Sequence, residues 1–176
     1  MRTFVALQLP EGFAFDVAAL ARRLSASVEG RFLPKETYHL TLAFLGEIDE
    51  TGVAAATQAV DAACEAVPPV SVRSDGLGKF GRASDATLWL GIAADPALMN
   101  LAARLCDELS VRGLAFDEKP FKPHVTLARR ARIPKRDLPP LAFPRDDEAV
   151  AVALFKSTLE REGAVYKPLH TVELVG

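Results

Sequence analysis

The chain has 176 residues, enough for one ordinary domain, and its 49% hydrophobic and 25% charged residues exclude a disordered protein. Its formal net charge of −2 excludes a protein that coats long nucleic acid through a basic surplus, so any contact with nucleic acid is expected to be local, such as a strand end. With no signal-peptide pattern at Met1 and no apolar run of the ~20 residues that a membrane span needs, the sequence predicts a cytoplasmic protein without membrane contact. Cys64 and Cys106 lack metal-ligand spacing and are predicted to be buried free thiols.

The first half of the chain predicts strands that alternate with helices. Pro10 opens the first helix and Gly30 ends it. The residues at helical spacing are Phe15, Ala18, Ala19, Arg22 and Arg23. The predicted elements are a strand at Arg2–Gln8, a helix at Glu11–Ser27, an extended piece at Arg31–Leu33, a strong strand at Tyr38–Gly46 and an alanine-rich helix at Glu50–Val67.

The second half continues this order and predicts an α+β protein with helices packed on antiparallel or mixed sheet. Asp95 and Pro96 are typical of the N-cap and the first residue of a helix. The predicted elements are strands at Val70–Gly78 and Ala86–Ala93 around a turn at Lys79–Arg82, a helix ending at Val111, a strand at His124–Arg130, a loop at Ile133–Pro144, and strands at Ala149–Glu160 and Val165–Leu174. No glycine-rich phosphate loop is present.

Two of the three histidines open the same five-residue pattern. The first copy is His39-Leu40-Thr41-Leu42-Ala43 and the second is His124-Val125-Thr126-Leu127-Ala128. At average residue usage, Thr, Leu and Ala follow a given histidine at these offsets by chance roughly once in a few thousand cases. The histidines lie 85 residues apart (124 − 39), close to half the chain, so the repeat indicates two related lobes that face each other within a single domain spanning residues 1–176.

Strand geometry predicts which side chains of each copy share a face, because residues i and i+2 project from the same side. The first face carries the histidine, the threonine and the alanine of each copy. The opposite face carries apolar side chains that anchor the strand in the core. The anchoring residues are Leu40, Leu42 and Phe44 in the first copy and Val125 and Leu127 in the second.

Two such strands facing each other would place two imidazoles and two hydroxyls in one cleft. This set suits in-line displacement at phosphorus, where one imidazole takes a proton from water and the other donates a proton to the leaving oxygen. Histidine suits both roles because its unperturbed pKa is about 6.5. The hydroxyls of Thr41 and Thr126 can hold the non-bridging phosphate oxygens.

The alternative for any single histidine is ordinary packing or solvent exposure, and only the matched repeat favours catalysis. His170 lacks the threonine at i+2, so a structural role is expected there. No third residue has metal-like spacing to either copy, so neither a metal nor another cofactor is predicted. A basic stretch is either a solvated face or a phosphate attractor; it comprises Lys119, Lys122, Arg129, Arg130, Arg132, Lys135 and Arg136.

The two motifs resemble those of the two-histidine (2H) phosphoesterase superfamily. Within that superfamily, the chain resembles the RNA 2′,3′-cyclic phosphodiesterases, formerly called 2′-5′ RNA ligases. The resemblance covers nearly the whole chain and implies a bilobal α+β fold with the histidines in a central groove. It implies metal-free hydrolysis of a terminal 2′,3′-cyclic phosphate to a 2′-phosphomonoester. It also implies His124 as the base for water and His39 as the acid for the ribose 3′-oxygen, although this order can be reversed.

The resemblance further implies three substrate contacts. Arg129 falls on the arginine that ends the family motif, yet strict alternation places it on the face opposite His124, so the strand must twist or end there. Lys122 stands where arginine is common and can attract phosphate as a point charge. Phe32 stands where tryptophan is frequent and either stacks on a base or packs in the ordinary way. Phe80 and Trp89 are expected to be core or rim residues.

The expected substrate is an RNA end that carries a 2′,3′-cyclic phosphate, including tRNA fragments, and the expected state is a monomer. Two alternatives stay open at this point. One is a 2′-5′ RNA ligase that joins tRNA-like halves. The other is a non-catalytic module that binds RNA ends and has kept the pocket.

Overall fold

A computed structural model describes every residue from Met1 to Gly176 and contains three helices and ten strands. The helices are α1 (Glu11–Ser25), α2 (Glu50–Cys64) and α3 (Pro96–Val111), and a single 3₁₀ turn covers Lys35–Thr37. The strands are β1 (Arg2–Leu7), β2 (Glu29–Phe32), β3 (Leu40–Glu47), β4 (Val70–Val72), β5 (Ser74–Arg82), β6 (Asp85–Ile92), β7 (His124–Arg132), β8 (Asp147–Ala149), β9 (Ala151–Glu160) and β10 (Gly163–Glu173).

The strands form two four-stranded antiparallel sheets and one short pair. The first sheet has the order β10-β9-β1-β3, the second has the order β2-β7-β6-β5, and β4 pairs with β8. The first histidine motif lies at the edge strand β3 and the second lies on β7 of the other sheet. The predicted α+β class is therefore confirmed, and each sheet carries one motif.

Each motif strand closes the same supersecondary unit. In the first sheet β1 leads through α1 to its antiparallel neighbour β3, and in the second sheet β6 leads through α3 to its antiparallel neighbour β7. The helices cross between the lobes: α1 packs against β2, whereas α3 packs against α2 and β3. As a result, one cluster of 35 buried residues contains side chains from both sheets.

The helical spacing noted in α1 is not that of its buried stripe. Phe13, Val17, Leu20 and Leu24 are buried, whereas Phe15, which opens the spaced set, is 64% exposed. The two sets share the same helical period. The structure buries the set with the larger aliphatic side chains, because it removes more apolar surface from water.

The turn predicted at Lys79–Arg82 was also wrong, because these residues lie within β5 and the chain turns between Arg82 and Asp85. The glycine that precedes this stretch, Gly78, has a packing role. Gly78 pairs with Trp89 across the ladder, and a Cβ built at Gly78 would lie 2.1 Å from the indole ring. A glycine here therefore marks a close approach of a ring to the backbone.

The structure refines the predictions about the start of α3 and about the exposure of the two cysteines. Helix α3 begins at Pro96 with Asp95 at the N-cap position, but the Asp95 carboxylate binds Arg73 and caps no helix N–H. Cys64 is buried and Cys106 is partly exposed, and both are free thiols. None of the three helices combines the length and the apolar character that crossing a bilayer requires.

Candidate active site

The two motif strands meet where the sheets adjoin, since β3 and β7 contact each other directly. His39 lies immediately before β3 and His124 is the first residue of β7, so both rings stand at the beginning of their strands. The charge of His124 is among the influences on the pKa of His39. The structure thus brings the two predicted histidines together.

Aromatic side chains from three strands of the first sheet hold the ring of His39. It stacks on Phe4 of β1 with 4.7 Å between ring centroids and meets Tyr166 of β10 edge-on at 5.0 Å. Phe155 of β9 lies 6.3 Å away. These contacts could not be predicted from the sequence, because only strand pairing brings β1, β9 and β10 beside the first motif.

The ring of His124 is supported in the same manner by the second sheet. Phe80 meets it edge-on at 5.2 Å, and Trp89 lies tilted at 5.7 Å. Trp89 is 6% exposed and Phe80 is 44% exposed, so the former is a buried wall and the latter a rim residue. The ammonium of Lys122 lies 4.9 Å above the Trp89 ring, which places this predicted substrate residue at the same wall.

A backbone carbonyl orients each imidazole. Nδ1 of His124 lies 2.6 Å from the carbonyl oxygen of Lys122, and the backbone of Thr37 forms a hydrogen bond with the ring of His39. In both copies the partner stands two residues before the histidine. Because a carbonyl oxygen can only accept, Nδ1 of His124 carries a hydrogen, and Nε2 is the nitrogen left to exchange a proton with a ligand.

The environment of His39 opposes its protonation. Burial of the ring lowers its pKa to about 4, and the positive charges of His124 and Arg129 act in the same direction. The hydrogen bond that the ring donates to the backbone of Thr37 acts in the opposite direction. In the free protein at pH 7, His39 is therefore neutral. A negatively charged ligand between these groups would raise the pKa of His39.

Both motif strands contain a β-bulge at the same place. In β3, Thr41 pairs with Ala6 and Ala43 pairs with Val5, which leaves Leu42 as the extra residue. In β7, Thr126 pairs with Trp89 and Ala128 pairs with Leu88, which leaves Leu127 as the extra residue. The repeat in sequence is thus also a repeat in backbone irregularity, and each bulge reverses the alternation of side chains that follow it.

The bulge in β7 explains how Arg129 reaches the site. Leu127 and Ala128 are both fully buried, so Arg129 returns to the face of His124, and its charge acts on His39. The strand does not end there, because β7 continues to Arg132. Strict alternation predicted that Arg129 would leave this face unless the strand twisted or ended. The bulge at Leu127 instead reverses the side-chain alternation within the continuous strand.

The corresponding bulge in β3 overturns two predicted orientations. Phe44, expected to anchor the strand in the core, is 47% exposed and lies 6.0 Å from Phe4. Ala43, expected on the face of His39, is buried. Leu40 and Leu42, which precede the phase change, are buried as predicted.

Thr41 and Thr126 lie two residues after the histidines and before the bulges, so they keep the predicted phase. Both are partly exposed. Whereas the hydroxyls of Thr3 and Thr37 donate to backbone carbonyls, no protein partner engages those of Thr41 and Thr126. Each hydroxyl is free to donate to a ligand oxygen.

Two other sequence predictions concern residues beside the site. Phe32 pairs with the fully buried Ala128 and packs against the core, a position that favours packing over base stacking. His170 lies 2.6 Å from a carboxylate oxygen of Asp61 on α2, the structural role expected for it. The structure contains no group of three His, Cys, Asp or Glu side chains placed to hold a metal ion.

Comparison with known proteins shows which family the chain is similar to. A sequence model described as the 2′-5′ RNA ligase superfamily matches residues 13–159. The RNA 2′,3′-cyclic phosphodiesterase of Thermotoga maritima is 31% identical, with 100% of this chain and 97% of that protein covered.

Two solved structures are similar over nearly the whole chain. The crystal structure of TT0787 of Thermus thermophilus superposes with a TM-score of 0.86 at 28% identity, covering 100% of this chain and 99% of the other. The crystal structure of Escherichia coli LigT complexed with 3′-AMP superposes with a TM-score of 0.82 at 27% identity, covering 99% and 98% of the two chains.

Proposed function

The chain belongs to the 2′-5′ RNA ligase superfamily, and from this premise we propose that it is an RNA 2′,3′-cyclic phosphodiesterase, which hydrolyses a terminal 2′,3′-cyclic phosphate to a 2′-phosphomonoester. One observation supports the proposal: the two matched strands β3 and β7 contact each other, and the charge of His124 on β7 acts on the ring of His39, which precedes β3. Similarity to the Thermotoga maritima phosphodiesterase and to a protein solved with 3′-AMP supports this substrate class.

The proposed reaction is an in-line displacement at phosphorus. His124 takes a proton from water as the water oxygen bonds to phosphorus, and His39 donates a proton to the ribose 3′-oxygen as the bond from phosphorus to that oxygen breaks. The products are a 2′-phosphate and a 3′-hydroxyl. Thr41, Thr126 and Arg129 donate hydrogen bonds to the non-bridging oxygens, where negative charge accumulates.

The lowered pKa of His39 sets a condition on these roles. As the acid, His39 must be protonated in the complex, although it is neutral in the free protein at pH 7. The negative phosphate supplies the required change, because its charge favours the protonated ring of His39 and offsets the positive charge of Arg129, while His124 is neutral as the base. Substrate binding and protonation of His39 are therefore coupled.

The first experiment measures hydrolysis of an oligonucleotide that ends in a 2′,3′-cyclic phosphate, with and without EDTA. We expect the same rate in both and a 2′-phosphate as the only product. His39→Asn and His124→Asn should each lower kcat about a thousandfold, within the usual range for losing a general acid or base. His170→Asn is the matched control and should keep its activity, because that ring binds Asp61. Loss of turnover in EDTA would contradict the metal-free mechanism.

A second experiment assigns the two roles. In a substrate with sulfur in place of the 3′-oxygen, the leaving group needs no proton, so a variant that lacks only the acid regains activity. We expect this substrate to rescue His39→Asn and not His124→Asn. Rescue of His124→Asn alone would reverse the order of acid and base.

Ligation is the second candidate, and the name of the superfamily favours testing it. The same groove would form a 2′-5′ phosphodiester if a 5′-hydroxyl replaced water as the nucleophile. Paired tRNA-like halves incubated with the protein would then yield joined product. Hydrolysis is the main proposal because water is always present at the groove, and joined product that outpaces hydrolysis would invert this ranking.

A further inference from the structure

The ladder between β2 and β7 contains two charged cross-strand pairs of opposite character. Glu29 pairs with Arg132, and their side chains form an ion pair of 3.8 Å. Arg31 pairs with Arg129, so two positive side chains stand directly opposite each other. Like charges in such a pair repel, and cross-strand neighbours share one face of the sheet, so Arg31 lies on the same face as Arg129.

No carboxylate neutralises this second pair. The β9–β10 hairpin carries Glu160 at the end of β9 and Glu162 in the turn, and the guanidinium of Arg31 reaches the start of β10: its Nη2 is 3.1 Å from the position that a Cβ at Gly163 would occupy. None of the seven ion pairs of the structure involves Arg31 or Arg129. Two paired arginines of this ladder therefore carry guanidinium groups without a carboxylate partner.

The two arginines lie at different distances from the reacting centre. The charge of Arg129 influences the ring of His39, whereas that of Arg31 does not. Arg31 extends instead from the second sheet toward the tip of the β9–β10 hairpin of the first. An anion bound by Arg31 would thus lie beyond the phosphate held by Arg129.

We propose that Arg31 binds the next phosphate of the RNA chain, the phosphodiester on the 5′-oxygen of the terminal nucleotide, and so favours RNA oligomers over free mononucleoside 2′,3′-cyclic phosphates. This inference rests on the proposed function, because it takes the cyclic phosphate to lie at His39, His124 and Arg129. A mononucleoside cyclic phosphate has no second phosphate to neutralise Arg31. A dinucleotide has one, and guanidinium groups bind phosphate oxygens through paired, charge-assisted hydrogen bonds.

The test compares the Arg31→Gln variant with the wild-type protein on two substrates. One is cytidine 2′,3′-cyclic phosphate, and the other is a dinucleotide that ends in the same group. We expect kcat/KM for the dinucleotide to fall about tenfold, the effect of one hydrogen bond to a charged group, and the preference for the dinucleotide to fall by a similar factor. The slope of log kcat/KM against log salt for the dinucleotide should shrink by about 0.7, corresponding to one lost phosphate contact on a single strand.

Arg132→Gln is the matched control, because it removes one positive charge from the same ladder without touching the unpaired arginines. It should leave the substrate preference unchanged. An equal loss on both substrates, or no loss on either, in Arg31→Gln would overturn the inference. Dissociation constants for the 2′-phosphate products provide a readout without turnover, and Arg31→Gln should weaken the dinucleotide product selectively. A wild-type protein that hydrolyses neither substrate would instead contradict the proposed function.

Discussion

The ring of His39 is the residue whose chemistry depends most on its surroundings. It is packed on Phe4, with Tyr166 at its edge, and two positive groups oppose its protonation. Burial is the largest cause of the lowered pKa, because the apolar surroundings of the ring solvate an imidazolium less well than water does. An anionic ligand beside His39 would favour the protonated ring. The protonation state of His39 therefore depends on whether the site is occupied.

This environment predicts a pH dependence of stability. The pKa of His39 is about 4 in the folded protein and about 6.5 in the unfolded chain, so between these values the unfolded chain binds more protons. The free energy of unfolding should therefore fall as the pH decreases from 6.5 to 4, with His39 contributing up to about 3 kcal/mol of the loss. Urea denaturation of wild type and His39→Asn at pH 4.5 and pH 7 measures this contribution.

The variant His39→Asn should lose less stability than wild type on acidification, whatever its stability at pH 7. His170→Asn should follow the wild-type decline and serves as the control. Equal declines in wild type and His39→Asn would show that the ring is not held neutral by the fold.

At the scale of elements, the bulges in β3 and β7 are the features on which the groove depends. Each follows the threonine of its motif and reverses the side-chain phase, so the strand presents histidine, threonine and then the residue five positions after the histidine on one face. In β7 that residue is Arg129 and in β3 it is Phe44. The same backbone irregularity thus places a cationic side chain after the second motif and an aromatic side chain after the first.

The contact between Gly78 and Trp89 predicts how the second sheet supports His124. A Cβ at position 78 would lie 2.1 Å from the indole, so Gly78→Ala must displace the ring that flanks His124. We expect a loss of about 1–3 kcal/mol in the free energy of unfolding, as for overpacking elsewhere. We also expect a lower kcat because His124 shifts, and thermal denaturation with steady-state kinetics measures both effects.

Gly12→Ala is the control for this substitution, because the nearest atom to its added Cβ is 3.8 Å away. It should leave both the stability and the kinetics near wild type. Wild-type behaviour of Gly78→Ala in both measurements would mean that Trp89 can move without disturbing the site.

At the scale of the whole molecule, the crossing of the helices joins the lobes. Helix α1 leaves the first sheet and packs on β2 of the second, and α3 leaves the second sheet and packs on β3 of the first. The resulting core is one cluster of 35 residues. Because this cluster contains side chains of both sheets, separation of the lobes would expose apolar surface on both.

This arrangement predicts a single cooperative unfolding transition for residues 1–176, consistent with the proposed single domain. Differential scanning calorimetry should give equal calorimetric and van't Hoff enthalpies. Two resolved transitions, or a van't Hoff enthalpy well below the calorimetric one, would indicate lobes that unfold separately. Size-exclusion chromatography under the same conditions tests the expected monomer.

The sequence by itself determined which residues are candidates for the site and much of the local structure. The repeat of His39 and Thr41 in His124 and Thr126 indicated the candidate reactive groups, because a two-residue spacing fixes a shared strand face over so short a distance. Pro96 marked the start of α3 because its fixed φ acts through its own backbone.

Only the tertiary structure decided what depends on distant partners. The bulges at Leu42 and Leu127 exist because of how β3 and β7 pair with β1 and β6, and they set the faces of Phe44 and Arg129. The aromatic support and the lowered pKa of His39 likewise come from strands and charges remote in the chain. Strand alternation is a local rule, whereas pairing register, burial and electrostatic environment are properties of contacts between segments, and no single segment encodes them.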